Sequence, residues 1–342
     1  MSVEPAPVDL APFGIVVGHA EDAAGATGCT VVRSVDRSLC AAVAVVGRAT
    51  GTRELAALAP EHLVGCADAV LLTGGSAYGL DAAAGVMRWM EERGRGFPVG
   101  AGVVPIVPAA VLFDLTPLGR FDARPTAAMA YAACDAASPL VTGQGSVGAG
   151  TGATVGKVLG PAGAMKGGFG CAVVGAGELR AAALAAVNAF GDVRDASGTI
   201  IAGARGLGGR FVDTARVLAS GDDAAGSFAD AASAAANTTL CVVALSAPID
   251  RVALAQAARA SAAALARRIT PSGTSFDGDV VFALCPDDAP PPAVDPAFLL
   301  RAEAIATAAL EEAIERAVRY AVGREGVPGL ADSSPSTPAG SP

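Results

Sequence analysis

The stretch that most constrains this chain is Asn237-Thr238-Thr239-Leu240. It sets a hydroxyl residue immediately before the uninterrupted apolar run Leu240-Cys241-Val242-Val243-Ala244-Leu245, which reads as a buried strand. Thr favours strands and Asn favours turns, so the tripeptide by itself describes the end of a loop. It also spells an N-glycosylation acceptor, which matters only in a secreted protein. The same arrangement has a chemical reading. If the bond after Asn237 breaks, Thr238 carries a hydroxyl nucleophile and a free α-amine, whose unperturbed pKa of roughly 7.7 to 8.0 suits a general base near neutral pH. One residue then supplies nucleophile and base together.

Composition closes other routes. The chain has 342 residues, 52% of them hydrophobic, and a mean hydropathy of +0.48, enough for one large core or two modest ones without disulfides. Net charge is −9 and no Lys/Arg stripe is present, which argues against a nucleic-acid or anionic-membrane surface and for small molecules or short peptides as partners. Seven cysteines, an odd number without a Cys-x-x-Cys pair, fit a reduced compartment with thiols as small core residues. The N-terminus has no Lys or Arg before an apolar run, unlike a signal peptide. The helix expected over about Pro296 to Val322 is interrupted by Arg301, Glu303, Glu311, Glu312, Glu315 and Arg316, so it is amphipathic rather than membrane-spanning. A cytoplasmic protein is expected. His19 and His62 are the two histidines, and neither stands in a ligand spacing, so the expected chemistry uses no His triad and no metal.

Along the chain, short strands and helices alternate. Strands are expected at Gly14 to Gly18, Thr30 to Arg33, Cys40 to Val46, Ala67 to Thr73, Gly170 to Val174, Ala182 to Val187, Thr199 to Ala202, Thr239 to Ser246 and Val280 to Cys285. Helices are expected at Tyr78 to Arg93, Thr126 to Ala137 and Ile249 to Arg268, besides the long final one. An Ala/Ser/Asp-rich linker, Ser220 to Ala236, runs directly into Asn237. The reading is one α/β domain over residues 1–325, cut once, followed by a Pro/Ser/Gly-rich disordered tail at 326–342.

The glycine-rich centre contains two misleading patterns. Gly148 to Lys157 resembles a phosphate loop but has Thr151 and Val158 where that pattern needs Gly and Ser or Thr. Gly74-Gly75-Ser76-Ala77-Tyr78 begins like a nucleophile elbow but has Tyr78 where the closing Gly belongs. The glycines read better as close backbone approaches around a pocket. Lys157 ends a run of small and apolar residues, so it is either a desolvated lysine with a depressed pKa or a snorkelling one on a strand edge. Asp277-Gly278-Asp279 is ordinary turn chemistry or a pair of acids able to hold an ammonium.

Taken in order, Thr73 to Leu80, Gly148 to Lys157, Met165-Lys166-Gly167-Gly168, Val187-Asn188-Ala189-Phe190-Gly191, Asn237-Thr238-Thr239 and Asp277-Gly278-Asp279 resemble the P1 family of self-processing N-terminal-nucleophile hydrolases. That family includes L-aminopeptidase/D-esterases, β-peptidyl aminopeptidases and nylon-oligomer hydrolases. The resemblance, which runs from Gly14 to about Cys285, implies a four-layer αββα sandwich, self-cleavage into residues 1–237 and 238–342, and a homo-oligomer, with a tetramer expected. It places Thr238 on the nucleophile and Asn188 on the oxyanion-stabilising side chain. Lys157, Asp277 and Asp279 match their counterparts in the nylon-oligomer branch. Tyr78 and Phe113 are expected to line the substrate site, Phe113 standing where several relatives have Tyr. The implied activity is an aminopeptidase or amidase acting on short peptides or amides without metal or cofactor. Oligoamide hydrolysis, acyl transfer of the ornithine-acetyltransferase type and a non-catalytic binding role are the alternatives.

Overall fold

The computed structural model describes residues 4–220, 237–288 and 295–332. Two sheets carry the architecture. The first contains Ile15–Asp22 (β1), Thr27–Ser34 (β2), Gly51–Arg53 (β4), Ala69–Thr73 (β6) and Ala109–Val111 (β7), in the order β1-β2-β6-β7-β4. The second contains Leu39–Val45 (β3), Cys66–Ala67 (β5), Gly168–Ala176 (β8), Leu179–Asn188 (β9), Thr238–Leu245 (β10) and Val280–Pro286 (β11), in the order β8-β9-β10-β11-β3-β5.

Alternation along β10 shows why its sequence is apolar throughout. Leu240, Val242 and Ala244 enter the core between the sheets, where they meet Val32, Val70, Leu72 and Leu112. Cys241, Val243 and Leu245 enter the outer core beneath the helices Arg251–Ser261 (α3), Ala263–Arg268 (α4) and Pro296–Arg319 (α5). A strand covered on both faces has no solvent side to mark with polar residues. Each large side chain buried there contributes roughly 1.5–3 kcal/mol of transfer free energy. The helices Ala83–Glu91 (α1) and Ala127–Asp135 (α2) cover the outer face of the first sheet, packing Trp89, Met90, Ala130 and Cys134 on Val31 and Leu71. The layers are therefore helix, sheet, sheet, helix, the αββα sandwich anticipated above. Caps fix the helix starts: Asp250 accepts from Val252 N and Ala253 N, and Asp295 accepts from Ala297 N.

Some elements differ from expectation. The helix expected from Tyr78 begins instead as a 3-10 segment, Ser76–Ala82, before α1. Gly79 lies so close to Gly74 O that an added Cβ would sit 1.9 Å from it, which tightens the turn. The helix expected over Ile249 to Arg268 divides into α3 and α4 at Ala262. Residues 326–332, assigned to the tail from composition, pack onto the body. Val327 is buried with Ala26 and Leu118, and Pro328 O accepts from Lys166 N at 2.9 Å. The rest of that tail, 333–342, and most of the expected linker, 221–236, lie outside the described residues.

His19 is a structural residue. Its Nδ1 lies 2.9 Å from Thr30 Oγ1 and its ring stands edge-on to Phe169 at 4.7 Å, and burial lowers its pKa to about 4. Because the folded state resists protonation of this ring, stability falls as pH drops from the ordinary 6.5 towards about 4. Discounted for the part of the side chain that remains open to solvent, the loss is on the order of 2 kcal/mol. His19→Gln should lose less stability than the parent between pH 7 and pH 4 in urea unfolding; equal losses would remove His19 from the account.

Candidate active site

Strand register assembles the site. Asn188, the last residue of β9, stands opposite Thr238, the first of β10. β10 runs parallel to β11, and just before both, Asn237 bridges Asp277. The ends of three neighbouring strands thus converge on one point with Asn188, Thr238 and the Asp277-Gly278-Asp279 turn. Thr238 is 5% exposed, and its Oγ1 donates to the carbonyl oxygen of Asn237 at 2.6 Å. Gly278 N donates to the same oxygen at 2.8 Å. A Cβ at position 278 would sit 2.6 Å from Thr238 Oγ1 and 2.8 Å from Ala49 O, so only glycine lets the turn close on the hydroxyl.

Asn188 is held at both ends of its amide. Its Oδ1 accepts from Lys157 Nζ at 2.9 Å and from Thr154 N at 3.0 Å, while its Nδ2 donates to Phe113 O at 2.9 Å. Lys157 Nζ also donates to the backbone oxygen of Asn188 at 3.1 Å. The lysine is aimed by its own backbone, since Lys157 N donates to Phe190 O and the preceding Gly156 N to Gly191 O, both at 3.0 Å. Gly156 has φ 69°, and a Cβ there would sit 2.1 Å from Ala204 N, so the chain turns into the site at a position open only to glycine.

Electrostatics follow from enclosure. Burial lowers the Lys157 ammonium to about 7, with the negative charge of Asp277 opposing the shift. Burial also raises Asp277, countered by the hydrogen bonds of Thr274 and the charge of Lys157. Asp279, whose Oδ1 accepts from Thr239 N at 2.6 Å, is raised to about 7 first by burial and then by the neighbouring charge of Asp277. A lysine and a carboxyl group that change charge near neutrality, Lys157 and Asp279, therefore flank Asp277 at the same converging strand ends.

Of the residues singled out from sequence, the structure brings Thr238, Asn237, Asn188, Lys157, Asp277 and Asp279 together. Phe113 joins them through its carbonyl, so the group at this position that touches Asn188 is one every residue possesses. Tyr78 is exposed, with Arg124 stacked 3.5 Å from its ring and Phe121 edge-on at 6.4 Å. Sequence reading missed the donors Gly278 N and Thr154 N because backbone groups leave no signature. Among the described residues no group of three or more His, Cys, Asp or Glu is arranged to hold a metal ion, and no helix is long and apolar enough to cross a membrane. The arrangement is suited to acyl chemistry: a buried hydroxyl beside a carbonyl whose oxygen already receives an N–H donor.

Comparison with known proteins bears on the family and the fold. The chain matches the family model described as peptidase family S58 over residues 10–330. An uncharacterized aminopeptidase of Mycobacterium leprae is 43% identical over 291 residues, covering 79% of this chain and 76% of its own length. A 6-aminohexanoate-oligomer endohydrolase of Agromyces is 30% identical over 283 residues, covering 80% of this chain and 74% of its own. Among solved structures, the L-aminopeptidase D-Ala-esterase/amidase of Ochrobactrum anthropi, described as a variant of the Ntn hydrolase fold, superposes with a TM-score of 0.64. It is 19% identical and covers 90% of this chain and 84% of its own, a likeness of fold. With the fold, the family model and relatives of this extent in agreement, the chain is a hydrolase that belongs to peptidase family S58.

Proposed function

We propose that this chain is an autocatalytically processed N-terminal-threonine hydrolase that cleaves amide bonds in short peptides or amides. The observation that carries the reading is the Thr238 hydroxyl, 2.6 Å from the oxygen of the very carbonyl it would attack, with Gly278 N donating to that oxygen at 2.8 Å. In maturation, Thr238 Oγ1 bonds to the Asn237 carbonyl carbon, the C–N bond breaks, and the nitrogen takes up a proton to become the free α-amine. Water then hydrolyses the resulting ester, leaving an Asn237 carboxylate and the Thr238 hydroxyl. Gly278 N–H stabilises the negative charge that develops on the carbonyl oxygen.

In turnover the same hydroxyl attacks a substrate amide, the α-amine accepts its proton and passes it to the leaving amine, and water then hydrolyses the acyl ester to release the acid and restore the Thr238 hydroxyl. Asn188 Nδ2 donates to the oxyanion, while Lys157 holds the Asn188 carbonyl and Asp277 and Asp279 set the charge balance around the new amine. No step calls on a metal or cofactor. The chemistry of a free amine at the nucleophile suits an aminopeptidase or amidase, acting as a cytoplasmic homo-oligomer. A second reading, hydrolysis of synthetic oligoamides, is favoured by the relatives named 6-aminohexanoate-oligomer endohydrolase.

Intact mass and N-terminal sequencing test the proposal directly: two chains, 1–237 and 238–342, with Thr238 as a new N-terminus. A fully active, uncut wild-type chain would overturn it. A substrate panel with and without an added acyl acceptor separates hydrolysis from acyl transfer. Lys157 makes a further prediction. Its ammonium, across the Asn188–Thr238 pair, disfavours protonation of the Thr238 amine, which must be neutral to act as base. In matured Lys157→Met the acid limb of kcat/KM should therefore move to higher pH, by on the order of one unit. An unmoved limb would exclude Lys157 from control of the amine.

A further inference from the structure

Behind the site stands a second buried lysine that the chemistry above does not use. Lys166 is 1% exposed, and its Nζ donates to Gly150 O at 3.2 Å and to Thr151 O and Ala153 O at 2.8 Å each. These acceptors engage the three hydrogens of an ammonium. The backbone of the same residue pairs with Thr154, and Gly167 N donates to Ala153 O at 2.9 Å. The segment leading into Thr154 is thus tied down by its carbonyls, and Thr154 N is the group that holds Asn188 Oδ1.

Asp114, fully buried, packs against the same turn: a Cβ on Gly152, between the Thr151 and Ala153 carbonyls that Lys166 holds, would lie 2.7 Å from the Asp114 Cβ and 3.1 Å from its Oδ2, and the Asp114 charge opposes the lowering of Lys166 by burial. Its Oδ1 accepts from Gly75 N at 2.7 Å and its Oδ2 from Thr27 Oγ1 at 2.6 Å. The residue before it, Phe113, supplies the carbonyl that receives Asn188 Nδ2. Each end of the Asn188 amide is therefore anchored one residue away from a group fixed by Lys166 or by Asp114.

We propose that Lys166 and Asp114 form a buried charged brace that positions the Asn188 amide, making both of them positioning residues for the reaction at Thr238. The inference rests on the reading of Asn188 as oxyanion donor. An apolar residue in place of Lys166 leaves three converging carbonyls without their donor, and they would relax apart, carrying Thr154 N with them. A neutral residue in place of Asp114 leaves the lysine charge without its counterpart.

The brace has a pH range of its own. Burial lowers Lys166 to about 7, opposed by Asp114 and reinforced by Arg324. Burial raises Asp114 to about 6, opposed by the hydrogen bonds of Thr27 and Gly75 and by Lys166. Glu21, Ser146, Thr151 and Arg324 line the cavity of about 410 Å³ that Lys166 also borders, so Glu21 and Arg324 are the other charges on that side.

The test is a double-mutant cycle read in both self-cleavage rate and turnover, with Lys166→Met and Asp114→Asn made in the wild-type and Asn188→Ala backgrounds. Cleavage is followed by intact mass and folding by thermal melting. In the wild-type background each brace variant should lower kcat by about 10- to 100-fold, with KM changed less than about threefold and self-cleavage slowed less than turnover. In Asn188→Ala the further loss should be under about threefold, because the group being positioned is gone. The pH–kcat profile of Asp114→Asn should also change shape near neutrality. Equal losses in the two backgrounds, or no loss in the wild type, overturn the brace while leaving the proposed function intact. Wild-type kinetics in Asn188→Ala itself overturn the reading of Asn188 on which the brace rests. Should Lys166→Met not melt cooperatively, the near-isosteric Asp114→Asn decides the matter; failure of both to fold marks the pair as scaffold and also overturns the proposal.

Discussion

Thr238→Ala is expected to remain a single uncut chain and to lose amide hydrolysis by at least about 10⁴-fold, since a missing nucleophile removes the reaction path and not merely a contact. The substitution deletes the hydroxyl that donates to Asn237 O and leaves the Gly278 N donor to the same oxygen in place. The buried carbonyl stays satisfied, so the fold should lose no more than about 1 kcal/mol. Thr238→Ser keeps the hydroxyl and the latent amine, and should still cleave and turn over. Together the two variants separate loss of chemistry from loss of structure. Melting curves, intact masses and kinetics on the same preparations measure the outcome. A Thr238→Ala protein that is cut at Asn237 and active would assign the nucleophile elsewhere, and Thr239, whose N–H is already engaged by Asp279, would be the first place to look.

How far the sequence could be read depended on whether a feature resides in side chains. The apolar run of β10 was visible because a strand buried on both faces needs every position, and both cores claim its residues in alternation. Thr238, Lys157 and the two acids were visible because hydroxyl, ammonium and carboxylate groups are conspicuous in a chain with 17% charged residues. The groups that orient them were not. Gly278 N, Thr154 N and Phe113 O belong to the backbone, and only the register of β9, β10 and β11 shows that they point at the site. The strands β4 and β7, three residues each, are too short to display alternation and exist through their ladder with each other and the pairing of β7 with β6. Tyr78 shows the limit in the other direction: the sequence marks the residue, but that its ring is exposed beneath Arg124 is visible only in the structure. Composition misjudged residues 326–332 for a related reason. A Pro/Gly-rich segment lacks a core pattern, yet Pro328 O and Val327 are held by Lys166 and by a small apolar cluster.

The second large effect is expected from Asn188→Asp, which changes one group of the side chain and keeps its shape. The oxygen that accepts from Lys157 Nζ and Thr154 N is retained, whereas the Nδ2 donor facing Phe113 O becomes an acceptor. An amide nitrogen carries two hydrogens, one directed at Phe113 O and the second proposed for the oxyanion. Both are lost in the carboxylate, and its charge opposes the negative oxygen that develops in the transition state. We expect kcat to fall by about 10²–10³-fold, with the larger part of the loss in kcat rather than KM, because the donor acts on charge that appears only during reaction. Self-cleavage should suffer less, since the Asn237 carbonyl oxygen is already served by Gly278 N at 2.8 Å. That difference between the two reactions is what distinguishes an oxyanion donor from a structural residue: a purely structural Asn188 would impair cleavage and turnover alike, and a variant with wild-type kcat would exclude the donor role. Asn188→Ala serves as the comparison, for it also takes from Lys157 the side-chain oxygen that accepts its proton, and should therefore lower the melting temperature more than Asn188→Asp does.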